Sequence, residues 1–218
     1  MEPTEGLPFR RARSNDQKEL RRDRILDASM RLLEQHAYRE ISVAHIASEA
    51  RVAKGTVFLY FASKEEVFIA LLERELASWG SELQEMLPLT PIDADGLVSL
   101  LARTLLSCEV LINLLALSTT LLEENITATA AQRYKSVLHE RLVMLGKRLD
   151  RSVQGMEAGD SARFLIDCTV LVAGLYGPTH PAPAVSTVLA TGDYPLFSYD
   201  LERDFIRLAT ALLKGAVR

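Results

Sequence analysis

At 218 residues, with 48% hydrophobic and 25% charged side chains, the chain is long enough to bury a sizeable core, which excludes a fibrous or wholly disordered protein. Its two cysteines, Cys108 and Cys168, lie far apart in Leu- and Val-rich stretches, which excludes a disulfide framework or a Cys-x-x-Cys metal site and suits a reducing compartment. The net charge of −4 hides an asymmetry: residues 1–64 hold 12 Lys or Arg against 9 Asp or Glu, and residues 65–218 hold 13 against 20, so the front of the chain suits a polyanion and the back does not.

Residues 1–16 mix Pro, Gly and charge without periodicity and carry Arg10, Arg11 and Arg13, which reads as a mobile basic arm. From 17 a helical period begins, with Ile25, Ala28, Leu32 and Leu33 on one face and Lys18, Arg21, Arg22 and Arg24 crowded near its start. Ser42 stands at an N-cap, followed by Val43, Ile46, Ala47 and Ala50 at i, i+3, i+4 and i+7. After Arg51-Val52-Ala53 a third short helix, Lys54 to Phe61, turns Val57 and Phe61 inward, so that helix, tight turn, helix results. Ser63-Lys64-Glu65-Glu66 forms a capping box that opens a long fourth helix with the seam Leu72, Leu76, Trp79, Leu83 and Met86, ended by Pro88 and Pro91.

Further helices are expected at about 94–107, 109–123, 127–153, 160–176 and 199–215, with a long irregular segment 177–198 that holds a short helical turn near Val185 to Leu189. No stretch alternates with period two, so no sheet is expected. Nothing in the chain has the pattern of a secretory signal or a membrane span, and a cytoplasmic protein is the expectation.

With Val57 and Phe61 inward, the third helix displays Lys54, Gly55, Thr56, Phe58 and Tyr60: a cation, bare backbone, a methyl with a hydroxyl, and two rings. In a helix-turn-helix such a helix enters the major groove. There Gly55 permits close backbone approach, Thr56 offers a methyl to thymine or a hydroxyl to phosphate, Tyr60 reaches a phosphate, and Lys64 clamps another beside a helix N-terminus. Ser42, at the head of the preceding helix, completes the expected DNA-facing set.

Residues 17–72 resemble the DNA-binding module of the TetR (tetracycline-repressor-like) transcriptional regulators, above all Ile41-Ser42-Val43-Ala44-His45-Ile46-Ala47, the run from Val52 to Phe61, and Ser63-Lys64-Glu65-Glu66. The resemblance implies an all-helical homodimer whose C-terminal domain binds a small molecule and which then leaves its operator. Three positions depart from the family pattern: Ala37 where a glycine is usual, Ala44 where arginine or another polar residue is common, and Phe58 for the common tyrosine.

In the C-terminal half, Phe164, Cys168, Leu171 and Leu175 run at spacing 4-3-4, as do Leu201, Phe205, Leu208 and Leu212, and each helix carries a second apolar stripe. One stripe of each is expected to pack within the subunit and the eight named residues to form a four-helix dimer interface. A pocket among helices four to eight would be walled by Leu, Ile and Val, so its ligand should be largely apolar. Trp79, Glu109, Asn113, Tyr134, Cys168 and Tyr176 are the candidates for its polar or aromatic contacts. No nucleophile elbow, zinc-protease motif or phosphate loop is present, so neither enzyme activity, cofactor nor metal is expected.

The expected fold is all-α with about nine helices: a three-helix helix-turn-helix DNA-binding domain over 17–62 and a ligand-binding and dimerisation domain over 63–218. The expected function is a homodimeric regulator, a repressor released from a palindromic double-stranded DNA operator by a small-molecule effector. The competing reading is a helical carrier for an apolar metabolite with a non-functional helix-turn-helix.

Overall fold

The computed structural model describes residues 8–88, 90–153 and 156–216. Among these residues are ten α-helices and no strand, with one isolated bridge between Ile92 and Val153. The chain divides into two compact units, Met1–Leu71 and Leu72–Arg218, and the division falls inside one helix, α4 (Lys64–Met86).

In the first unit, α1 (Pro8–Gln35) begins on a proline, whose missing N–H is no loss at a helix start. The expected arm is therefore corrected: from Pro8 its backbone is helical, and residues 1–7 lie outside the described residues. Ile25, Leu26, Ala28 and Leu33 of α1 are buried. Ala37 is extended at φ −63° and ψ 141°, so the left-handed turn that a glycine would serve is not used there.

The next helix, α2 (Val43–Glu49), starts with the Ser42 hydroxyl oxygen accepting from the His45 N–H at 3.2 Å. It ends in a left-handed residue, Arg51 at φ +56°, with the Val52 N–H donating to the Ala47 carbonyl at 2.9 Å. After that turn comes α3 (Lys54–Phe58), shorter than the expected 54–61 because its last turn tightens. Both the Tyr60 and Phe61 N–H groups donate to the Val57 carbonyl, at 3.0 and 3.1 Å. Ser63 accepts from the Glu66 N–H at 3.1 Å, and the Glu66 carboxylate accepts from the Ala62 N–H at 3.1 Å, so α4 is capped reciprocally.

The second unit takes the rest of α4, with Leu72, Leu76, Trp79 and Leu83 buried, and adds α5 (Ala94–Leu105) and α6 (Glu109–Leu117). A π turn (Ser118–Leu122) and a 3-10 turn (Glu123–Asn125) lead into α7 (Ala128–Ser152). Then follow α8 (Asp160–Thr179), α9 (Pro183–Leu189) and α10 (Leu201–Ala216). The segment expected to be irregular thus holds a full two-turn helix, and α8 runs past 176 through Pro178. Helix α8 packs against α6, α7 and α10 and forms the centre of the unit. Among the described residues no single helix is long and apolar enough to cross a membrane.

Gly146 marks the tightest α7–α8 approach, since a Cβ there would lie 2.6 Å from the Ala162 Cβ and 2.7 Å from its backbone nitrogen. Gly146→Ala should destabilise the protein by about 1–2 kcal/mol, the overpacking cost exceeding the roughly 1 kcal/mol gained in helix propensity. Thermal unfolding followed by circular dichroism measures this, and a rise in melting temperature would contradict it.

Asp204 caps α10 by accepting from the Asp200 N–H at 2.9 Å and from Arg203 and Arg207 at 2.8 and 3.1 Å. The backbone N–H first, then these guanidinium groups, hold its carboxyl down at about 2. A carboxyl depressed in the folded state stabilises fully above its unfolded value near 3.8 and loses that effect as pH falls through about 2. Asp204→Asn should therefore lower the melting temperature at neutral pH and flatten its fall between pH 4 and 2.

Four of the eight expected dimer residues are also corrected. Phe164, Cys168, Leu175 and Phe205 are buried inside the protomer, at 3%, 0%, 4% and 0% exposure, because these stripes meet the rest of the second unit. Leu171, Leu201 and Leu208 are half-buried, and Leu212 is exposed. The outward side of α8 instead carries Val170, which is exposed, and Gly174.

Candidate functional site

Two features stand out, one in each unit. The first is the outer side of α3. Val57 and Phe61 are buried, as the i,i+4 spacing requires, and this turns Lys54, Gly55 and Phe58 to solvent and leaves Thr56 and Tyr60 half-exposed. Leu59, passed over in the sequence reading, is exposed at 82%, against 48% for Phe58. The helical period carries the signal for it, because two residues beyond an inward Val57 lies the opposite face. On α2, Ala44 and His45 are exposed and Ser42 is half-buried in its capping role.

Arg31 and Glu49 tie α1 to α2 by an exposed ion pair at 2.7 Å, and the Arg22 guanidinium lies 5.6 Å from the Phe61 ring centroid. The two helices that would dock on a duplex are thus held by apolar contacts within and by charged contacts at the rim.

Lys64 has a different place from the expected phosphate clamp. Its Nζ donates to the carbonyls of Tyr38 at 3.1 Å and Ile41 at 2.9 Å and sits 3.9 Å from the Tyr38 ring centroid. Burial pulls its pKa down while the neighbouring Glu65 opposes the shift. The Tyr38 hydroxyl donates to Glu65 at 2.8 Å, and burial, with Glu65, pushes that phenol above its usual range. Lys64 is a bracket between the start of α4 and the turn that precedes α2.

The second feature is a narrow cleft between α4 and α7, lined by Glu73, Leu76, Trp79, Tyr134, Val137, Leu138, Arg141, Leu142 and Leu145. Its interior measures about 10 Å³, room for no more than one water molecule. Of the six expected ligand residues, the fold brings Trp79 and Tyr134 together here. Trp79 donates its indole N–H to Thr104 at 3.2 Å. The Tyr134 hydroxyl meets Ser118, and burial raises its pKa.

The other four lie elsewhere. Glu109 faces solvent and pairs with His180 at 3.6 Å, Tyr176 stacks on the His180 ring at 4.2 Å, and Asn113 sits half-buried on α6. Cys168 is sealed inside α8, where burial pushes its thiol up to about 12. Missed by the sequence reading were Glu73 and Arg141. Arg141 carries a signal, for it interrupts the otherwise apolar stripe Tyr134, Leu138, Leu145 and Leu149 of α7.

Comparison with known proteins bears on the family and the fold. Residues 25–71 match the family described as bacterial regulatory proteins, tetR family, and residues 73–218 match the tetracyclin repressor-like C-terminal domain. Over 62 residues the chain is 44% identical to the HTH-type transcriptional repressor KstR of Rhodococcus jostii (strain RHA1), covering 28% of this chain and 29% of that protein. Over 61 residues it is 33% identical to the fatty acid metabolism regulator protein of Bacillus subtilis (strain 168), covering 28% and 31%. These matches span about a third of the length of the curated relatives.

Among solved structures, the fatty acid degradation regulator FadR from Bacillus halodurans superposes with a TM-score of 0.53 at 22% identity, over 91% of this chain and 96% of that one. A TetR transcriptional regulator from Rhodococcus sp. RHA1 gives 0.55 at 16% identity, over 90% and 97%. A helix-turn-helix with an exposed second helix, joined to a helical C-terminal unit, is the architecture of a TetR-like regulator. The chain belongs to the TetR family of such regulators.

Proposed function

We propose that the protein is a homodimeric repressor that leaves a palindromic operator when a largely apolar small molecule enters the cleft between α4 and α7. The observation that carries this reading is the outer face of α3, where Lys54, Gly55, Phe58 and Leu59 are exposed on a helix anchored from behind by Val57 and Phe61. In a major groove, Gly55 lets the backbone approach, Thr56, Phe58 and Leu59 offer apolar surface to thymine methyls, and Lys54 meets phosphate or a base edge. The Ser42 hydroxyl accepts within its cap and keeps its proton for a phosphate, and Tyr60 reaches another. Lys64 serves by holding the bracket rather than by touching DNA.

Two such helices reach successive major grooves only in a dimer. The outward surface of α8 and α10, with Val170 and Leu212 exposed, Leu171 and Leu208 half-exposed and the small Gly174 between, suits a second copy. Sedimentation should find a dimer at micromolar concentration, and Val170→Glu with Leu212→Arg should yield a folded monomer. A monomeric wild-type protein would contradict this surface.

Helix α4 begins at the Lys64 bracket and continues past Glu73, Leu76 and Trp79 of the cleft. A ligand that fits one tilt of α4 biases the DNA-reading helices through a continuous rod. A hundredfold loss of operator affinity requires about 2.7 kcal/mol of differential binding between the two tilts, and the ligand then binds DNA-free protein tighter by the same factor.

Fluorescence anisotropy of a labelled random-sequence duplex tests the DNA-binding reading without knowledge of the operator. Binding should be measurable at low salt, with log affinity falling against log salt by about 0.9 per phosphate contact. Absence of binding at the lowest salt would overturn the reading.

A further inference from the structure

The cleft between α4 and α7 has four polar side chains, and three of them are engaged. Trp79 donates to Thr104, the Tyr134 hydroxyl meets Ser118, and Glu73 pairs with Arg133 at 3.4 Å. The fourth is Arg141, whose Nε is buried and has no hydrogen-bond partner. A guanidinium is always charged and donor-only, so a buried N–H without an acceptor is costly wherever it stands. Here it stands between Leu138 and Leu145 on the stripe of α7 that faces the cleft, and the one carboxylate in the lining is paired to another arginine.

We propose that the ligand of this cleft is an aliphatic monocarboxylate. Its chain parts α4 from α7 and takes the place of the contacts among Leu76, Leu138, Leu142 and Leu145, and its carboxylate accepts two parallel hydrogen bonds from the Arg141 guanidinium. A singly charged planar group fits this lining better than a phosphate, because the cleft is narrow and Glu73 repels a second negative charge. The inference deepens the effector reading of the same cleft and rests on it.

Trp79 is the only tryptophan of the chain and lines the cleft, so its emission reports occupancy without DNA. The probes are dodecanoate, dodecanol and dodecyl phosphate, each below its micelle-forming concentration. Dodecanoate should change Trp79 emission saturably, and the alcohol and the phosphate should bind at least tenfold more weakly. Arg141→Gln should weaken dodecanoate at least tenfold and leave dodecanol unchanged, and Arg141→Lys should fall between. If circular dichroism shows the glutamine variant unfolded, the lysine variant decides, with at least a threefold loss for dodecanoate alone.

Equal binding of acid and alcohol, tighter binding of the phosphate, or an Arg141 variant that binds dodecanoate as the wild type does would overturn the proposal. A wild-type protein whose Trp79 does not respond to dodecanoate would overturn it too. The same ligand added to the protein on labelled duplex separates the two readings: Trp79 response without loss of DNA affinity keeps the carboxylate site and removes its role as effector site.

Discussion

Gly55→Leu should lose operator affinity by at least a hundredfold while melting no earlier than the wild type. Gly55 is exposed and a Cβ there meets nothing within 4 Å, so a longer side chain leaves the free protein towards solvent. Glycine is also a poor helix former, and its replacement within α3 returns up to about 1 kcal/mol of propensity. In the proposed complex with DNA the backbone approaches the groove through this same space, and a leucine there would hold the helix away. A hundredfold loss corresponds to about 2.7 kcal/mol, well above what an ordinary surface substitution does. Anisotropy and thermal unfolding on one preparation measure both quantities, and a variant that binds like the wild type would place the DNA-reading surface elsewhere.

Lys64→Ala should lower stability by about 2 kcal/mol, or about 4–8 °C in melting temperature for a protein of this size. The variant leaves the Tyr38 and Ile41 carbonyls without their ammonium donor and removes the cation above the Tyr38 ring. Charge-assisted hydrogen bonds contribute about 1.5–3 kcal/mol each, and the solvent access of Lys64 reduces the sum. The salt dependence of DNA binding then distinguishes bracket from clamp. A lost phosphate contact flattens the slope by about 0.9 per contact, whereas loss of the bracket leaves the slope unchanged and the protein less stable.

Much of the fold is legible in the sequence because its signals are local. Ser42 and Ser63 with Glu66 mark helix starts by capping chemistry, and Val57 with Phe61 orients α3 by spacing alone. The residues that were misread depend on what faces them. Lys64 has the look of a phosphate ligand until the fold brings two carbonyls from more than twenty residues earlier within reach. Helices α8 and α10 each carry two apolar stripes, and only the packing of α6, α7 and α10 around α8 decides that Phe164, Cys168 and Leu175 turn inward. Leu59 and Arg141 show the converse: the period placed the first outward and the second inward, against the ordinary habit of each residue type.

The most direct test of the account is selection of bound duplexes from a random pool by the wild type and Gly55→Leu in parallel. The wild type should enrich an inverted repeat whose half-site centres lie about 34–36 Å apart, one helical turn, or somewhat more where the duplex is distorted. Gly55→Leu should enrich nothing. No enrichment by the wild type, asymmetric sites bound by single chains, or the same site recovered by the variant would contradict it.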